Sequence, residues 1–196
     1  MKSISINYWL KAIKIVLWIS LIGFGLTLFN TAGLVFTNNK MFADVRLKNA
    51  ETTSLAQAEL KTNRGVLAFK SDNVLDRLVF QHVYGYHDFI QSFFTFITCC
   101  ILLITIKGID PNSPFTLTIA KRISIIGSLY IIYGLVSIGA GFYLVSRVEA
   151  IMKQVTGDYT SFRDDLSNIK VGIFILIFAF IYKICVTYQE ENRLTV

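Results

Sequence analysis

Four long apolar runs divide the chain, and each is long enough to cross a lipid bilayer as a helix. They cover residues 15–36, 89–106, 123–145 and 171–186, and Lys183 in the last run is the one charged residue within them. A hydrocarbon core of about 30 Å requires roughly 20 apolar helical residues. Helices also satisfy their own backbone hydrogen bonds in lipid. The pattern predicts an all-α integral membrane protein whose four transmembrane helices form an antiparallel bundle.

With flanking interfacial residues included, the predicted spans cover about 12–36, 86–107, 120–146 and 169–188. The connection at 37–85 is too long for a turn, and we expect it to be a partly helical extracytoplasmic insertion. Good helix formers at 51–63, followed by Gly65, predict one helix, and 66–69 predicts a short strand. A second helix is predicted from Ser71 or Asp72. Its apolar and polar sides are Val74, Leu75, Leu78, Val79 and Val83 against Asp72, Asp76, Arg77 and Gln81.

Charge next to the spans predicts the orientation. The N-terminal segment carries Lys2, Lys11 and Lys14 without an acidic residue. The second connection is basic as well, because Lys107, Lys121 and Arg122 oppose only Asp110. The first and third connections mix both signs. Since lysine and arginine in short loops favour the cytoplasm, we expect a multi-pass protein of the cell membrane with both termini cytoplasmic.

Small residues in the third span predict a helix-packing seam. Gly127, Gly134 and Gly141 recur every seven residues, which is nearly two helical turns, so they lie along one stripe. Small residues allow helix backbones to approach closely in lipid. We therefore interpret the stripe as a packing seam rather than as a substrate path.

One face of the second span is polar from its outer end well toward its inner end. Its members are Asp88, Gln91, Ser92, Thr95, Thr98 and Thr105. One interpretation is a wetted path lined by Asp88, Gln91, Thr95 and Thr98. The other is hydrogen bonding between helices or back to the same helix. The second is favoured, because proton and ion routes usually place an ionisable residue at mid-depth.

Other functional classes find little support. With 16% charged residues and no basic run, the net charge of +6 does not predict direct nucleic-acid binding. Five residues separate His82 from His87, which does not match the i, i+4 spacing of two metal ligands on one helical face. No catalytic triad, phosphate loop or cofactor motif is present in the sequence. We expect a protein that is not an enzyme and that holds neither metal nor cofactor.

Two short motifs resemble a known family. Both prolines of the chain lie in 107–116, where Ser113 is expected to cap the third helix with Pro114 as its first residue. Pro114-Phe115-Thr116 is followed by Lys121-Arg122 and Ile126-Gly127, and the chain closes with Glu190-Glu191-Asn192-Arg193-Leu194-Thr195-Val196. These motifs resemble the bacterial membrane proteins of domain of unknown function family 2975. The resemblance implies a multi-span protein encoded beside a compact helix-turn-helix regulator, and hence a membrane partner for that regulator.

Two functional hypotheses follow. The first is a regulatory membrane protein that holds a cytoplasmic partner. Its partner-binding candidates are Pro114, Phe115, Thr116, Glu190, Glu191, Asn192, Leu194, Thr195 and Val196. The second is a small transporter or permeability protein that uses the polar face of the second span. The expected partners are the lipid bilayer and this regulator, and a second copy of the chain in a homo-oligomer is the open alternative.

Overall fold

The computed structural model describes residues 2–55, 58–110, 116–152, 159–160 and 166–194. Within them the elements follow in the order α1 (Lys2–Thr37), β1 (Lys40–Leu55), β2 (Ala58–Lys70), α2 (Val74–Val79), α3 (Phe89–Lys107), α4 (Leu117–Met152), β3 (Tyr159–Thr160) and α5 (Leu166–Leu194). Four of these helices are long and apolar enough to span a membrane: Tyr8–Thr37, Phe89–Lys107, Leu117–Ile151 and Leu166–Asn192. The chain is therefore a mostly helical, multi-pass membrane protein.

Three of the four long helices extend beyond their predicted spans at both ends, whereas α3 begins at Phe89, three residues after the predicted start at 86. At a rise of about 1.5 Å per residue, the 36 residues of α4 measure about 54 Å, well over the hydrocarbon thickness of about 30 Å. The long helices therefore carry turns that lie outside the hydrocarbon core. An apolar run ends at the first polar residues, whereas the helix continues as long as its backbone hydrogen bonds do.

The all-α prediction is too narrow, because the chain also forms a three-stranded sheet with the order β2-β1-β3. The helix predicted over 51–63 is wrong: β1 and β2 pair antiparallel there, with Glu51 opposite Thr62 and Leu55 opposite Ala58. The strand predicted over 66–69 lies within β2. The local helix propensity of these residues was outweighed by the antiparallel ladder of the hairpin, which extends from Lys40 opposite Lys70 to Leu55 opposite Ala58.

The second predicted insertion helix is shorter than expected. It begins at Val74, with Asn73 rather than Ser71 or Asp72 as the N-cap, and the Asn73 side chain accepts a hydrogen bond from the Leu75 N–H. The helix ends at Val79, because the chain then pairs with β1 through a 2.8 Å bond from Phe42 N–H to the Gln81 carbonyl. Its predicted apolar face is right only in part: Val79 is buried as expected, but Val74 and Leu75 are exposed while Asp76 is buried.

The chain divides into two compact units. The helical unit comprises Met1–Leu28, Ser92–Val136 and Asp165–Val196, and the sheet unit comprises Phe29–Gln91 and Ser137–Asp164. The sheet unit has its own apolar core, formed by Met41, Ala43, Val79, Phe80, Ala140 and Val148. Phe80 packs edge to face on Phe69, with ring centroids 4.9 Å apart. The first connection is thus a folded structure with an interior.

Candidate functional site

A buried carboxylate lies at the centre of the sheet unit. Asp76 of α2 is 0% exposed. Its Oδ1 accepts a 2.7 Å hydrogen bond from the Tyr143 hydroxyl, and its Oδ2 pairs with Arg147 Nε at 3.1 Å. Tyr143 and Arg147 stand one helical turn apart on α4, which places both on the same face. We call Asp76, Tyr143 and Arg147 the Asp76 clamp, because they attach α2 to α4.

Further hydrogen bonds support the clamp. Asn73 Nδ2 donates to the Tyr143 hydroxyl at 3.3 Å, so the residue that caps α2 also contacts α4. Arg77, the neighbour of Asp76, donates from Nε to the Ser71 carbonyl and from Nη1 to the Val35 carbonyl at the end of α1. One short helix therefore connects the ends of α1 and α4 within the sheet unit.

The clamp keeps Asp76 ionised. Burial alone raises the pKa of this carboxyl, but hydrogen bonds from Ser71, Tyr143 and Arg147, together with the Arg147 charge, outweigh it and lower the pKa below its ordinary value of 3.8. A buried carboxylate remains charged only when donors and a counter-charge surround it. The clamp holds this charge pair in place and joins α2 to α4.

Sequence reasoning missed this clamp. Asp76 was placed on the polar side of an amphipathic helix, and its partners are 67 and 71 residues away. The available clue was Arg147, a cation one turn from Tyr143 at the end of a long apolar run. His82, considered with His87 and Asp88 as a metal cluster, is 6% exposed, and its Nε2 bonds to the Arg77 carbonyl at 2.8 Å. Within the described residues, no group of three or more histidines, cysteines or carboxylates is placed to hold a metal.

The glycine stripe of the third span lies in α4, and two of its members face α5. A Cβ built at Gly134 would lie 2.5 Å from Ile169 Cγ1, and one at Gly127 would lie 3.1 Å from the Gly172 carbonyl oxygen. Gly172, which sequence reasoning did not single out, is equally tight: its Cβ would lie 2.8 Å from the Gly127 carbonyl oxygen. Gly141 is half-buried. The two backbones therefore cross at Gly127 and Gly172, where no side chain fits between them.

The polar face of the second span lies on α3 and at its start. Asp88 precedes the helix rather than lying within it, is 3% exposed, and accepts a 2.7 Å hydrogen bond from the Gln91 N–H. The Thr98 hydroxyl bonds to the Phe94 carbonyl, and the Thr105 hydroxyl bonds to the Ile101 carbonyl, each at i−4. Gln91 and Thr95 are half-buried. Two of the threonines are thus engaged by their own helix.

The partner-binding candidates fall into three groups. Pro114 and Phe115, with the expected cap Ser113, lie outside the described residues, as do Thr195 and Val196. Thr116 precedes α4, where its Oγ1 accepts from the Ile119 N–H at 3.4 Å, so the described helix begins at Leu117 and not at Pro114. Glu190, Glu191, Asn192 and Leu194 belong to α5, and the first three are exposed. The closing motif is therefore largely helical rather than an extended tail.

Comparison of the chain with protein-family models, curated proteins and solved structures gives no match.

Proposed function

We propose that this chain is a non-enzymatic regulatory protein of the cell membrane that holds a cytoplasmic partner. Its four spans would form an antiparallel bundle, with both termini and the second connection in the cytoplasm. The partner suggested by the motif resemblance is a helix-turn-helix regulator. The inner loop around Pro114 to Thr116 and the end of α5 from Glu190 would form the contact face.

The main support is the exposed end of α5. This helix continues to Leu194, past the apolar run that ends at Val186. Glu190, Glu191 and Asn192 are exposed there, so the helix presents two acidic side chains and an amide outside its apolar segment. A helical acidic end is suited to a basic surface, and DNA-binding domains carry such surfaces.

Strand pairing supports the membrane topology. β1, from the first connection, pairs with β3, from the third, with Arg46 opposite Thr160 and Leu47 opposite Tyr159. Two connections that share one sheet must lie on the same side of the membrane. This agrees with the two spans, α3 and α4, that separate them along the chain. The basic second connection then belongs to the opposite, cytoplasmic side by the positive-inside rule.

Cysteine labelling tests this topology. Val74, which is 64% exposed in α2, would be changed to cysteine in a chain whose Cys99, Cys100 and Cys185 are replaced by alanine. A membrane-impermeant maleimide should label it in intact cells. Labelling that requires permeabilised cells would invert the proposed orientation.

Co-purification with a helix-turn-helix regulator encoded beside this chain, as the resemblance implies, tests the function. The double change Glu190→Lys and Glu191→Lys should remove the capture of this regulator. The control is Glu149→Lys, which changes an exposed glutamate near the C-terminal end of α4 and should leave capture intact. Loss of capture in the control alone would place the contact at the opposite face. Solute flux in proteoliposomes that falls with Thr95→Leu, together with unchanged capture, would favour the transporter hypothesis instead.

A further inference from the structure

We infer that Trp18, Lys107 and Arg122 form a binding corner for the headgroup of an anionic phospholipid. The three residues come from α1, α3 and α4, and all belong to the helical unit. Lys107 Nζ lies 4.5 Å from the centroid of the Trp18 ring, which is within cation–π range. Arg122 Nη1 donates a 2.9 Å hydrogen bond to the Ile104 carbonyl, one turn before Lys107.

Both basic side chains therefore lie at the C-terminal end of α3. Gly108, the residue after Lys107, has no room for a side chain, because a Cβ there would lie 2.5 Å from Arg122 Nη1. This close approach holds the guanidinium beside the helix end. Among the described residues, one of its five N–H donors is used by Ile104, and a planar guanidinium with unused donors suits a phosphate oxygen.

The depth of the corner matches that of lipid phosphates. Lys107 directly follows the second apolar run and Arg122 directly precedes the third, so both cations stand at the boundary of the hydrocarbon region. Trp18 is 46% exposed near the start of the first run, and tryptophan prefers this interfacial level. Lys121 is also exposed beside Arg122 and adds positive charge. An anionic headgroup satisfies this charge, whereas a zwitterionic headgroup carries its own cation.

Part of the arrangement stabilises the protein itself, because cations near the last carbonyls of a helix are favourable without any ligand. That role does not require Lys107 to lie against an exposed tryptophan at the membrane boundary. Neither role depends on the orientation of the chain, so the lipid site stands or falls independently of the proposed function.

Trp18 supplies the reporter for a test. The chain has two tryptophans, and Trp9→Phe leaves Trp18 alone. The full-length variant would be reconstituted in phosphatidylcholine containing a minority of phosphatidylglycerol, with bromine placed on the acyl chains of one lipid or the other. Brominated phosphatidylglycerol should quench Trp18 more than brominated phosphatidylcholine at equal mole fraction. Each basic residue is expected to enrich the anionic lipid about fivefold at low salt.

Lys107→Gln should lower the enrichment that the quenching ratio reports by about fivefold, and Lys107→Arg should preserve it. Lys183→Gln removes one positive charge from α5 and is the matched control, so it should leave the ratio unchanged. Arg122→Gln should reduce the ratio, with circular dichroism used to verify its helix content. Equal quenching by the two brominated lipids would overturn the inference. So would an unchanged ratio in Lys107→Gln, or an equal loss in Lys183→Gln, since general charge attraction would then explain the preference.

Discussion

The sheet unit and the helical unit bring their elements together by opposite means. In the sheet unit, large side chains fill the interior: Met41 and Phe80 are at most 1% exposed, and Asp76 reaches α4 through a hydrogen-bonded ion pair. In the helical unit, α4 and α5 meet where side chains are missing, at Gly127, Gly134 and Gly172. The difference follows from the surroundings that each part of the chain must satisfy.

Water drives apolar side chains into an interior, so β1, β2 and α2, which lie outside the four candidate spans, gain stability from every large residue that they bury. Lipid does not supply this drive, and helices in a bilayer associate through close packing and hydrogen bonds. Removing side chains at a crossing therefore stabilises the helical unit, whereas it would leave a cavity in the sheet unit. Truncating a buried side chain should therefore destabilise the sheet unit, whereas enlarging a residue at the helix crossing should destabilise the helical unit.

The largest effect is expected from breaking the ion pair in the sheet unit. Arg147→Met leaves Asp76 buried without its counter-charge and should destabilise the unit by about 3 kcal/mol, the low end of the range for one lost partner of a buried pair. The low end applies because the Arg147 side chain is 39% exposed, so only the carboxylate is fully buried, and because Tyr143 still donates to Asp76. Hydrogen exchange of the β1–β2 backbone amides would measure the change.

The matched control for the ion pair is Asp72→Asn. Asp72 pairs with Arg77 at 3.1 Å, but its side chain is 90% exposed, so its loss should cost less than about 1 kcal/mol. Equal protection of the amides in both variants would show that the Asp76 clamp does not stabilise the sheet unit.

In the helical unit, adding a single methyl group should be harmful. Gly172→Ala places a Cβ 2.8 Å from the Gly127 carbonyl oxygen, a backbone atom that cannot rotate away. The expected loss is about 1–3 kcal/mol, as for overpacking a tight interface, measured by thermal unfolding in lipid nanodiscs. Gly139→Ala is the control, since a Cβ at Gly139 meets nothing within 4 Å. If both variants melt together, α4 and α5 do not cross closely in the bilayer.

These two sites also show the limits of sequence reasoning. The spans could be predicted because each consists of a long apolar run, with Lys183 as the one charged residue in the four, and such a run needs no distant information. The hairpin could not, because residues 51–63 combine helix formers with strand formers, and local propensity alone does not decide between a helix and the ladder that continues to Lys40 and Lys70. Gly172 is a lone glycine on α5 without a repeat, and its role depends on α4. The burial of Asp76 likewise depends on Tyr143, which lies 67 residues away.

Acid should weaken the sheet unit selectively. The pKa of Asp76 is lower in the folded state than its ordinary 3.8. The ionised carboxylate therefore contributes fully to the free energy of unfolding above pH 3.8. The contribution is lost as the pH falls from there through the lowered native pKa. Amide protection in β1 and β2 should therefore fall below about pH 4, and the fall should be shallower in Asp76→Asn. A parent and variant with parallel pH profiles would assign the acid sensitivity to other carboxyls.

The smallest effect is expected at the start of α4, where the helical unit depends on a polar contact like those of the sheet unit. The Thr116 hydroxyl accepts from the Ile119 N–H at 3.4 Å, a long hydrogen bond. Thr116→Ala should therefore cost about 0.5–1 kcal/mol, the lower part of the range for an N-cap. Thr118→Ala is the control, because Thr118 is exposed within the first turn. Exchange of the Ile119 and Ala120 amides should quicken in Thr116→Ala alone. The Thr116 carbonyl also accepts hydrogen bonds from those two amides. Equal exchange in both variants would show that these backbone bonds start the helix without the Thr116 side chain.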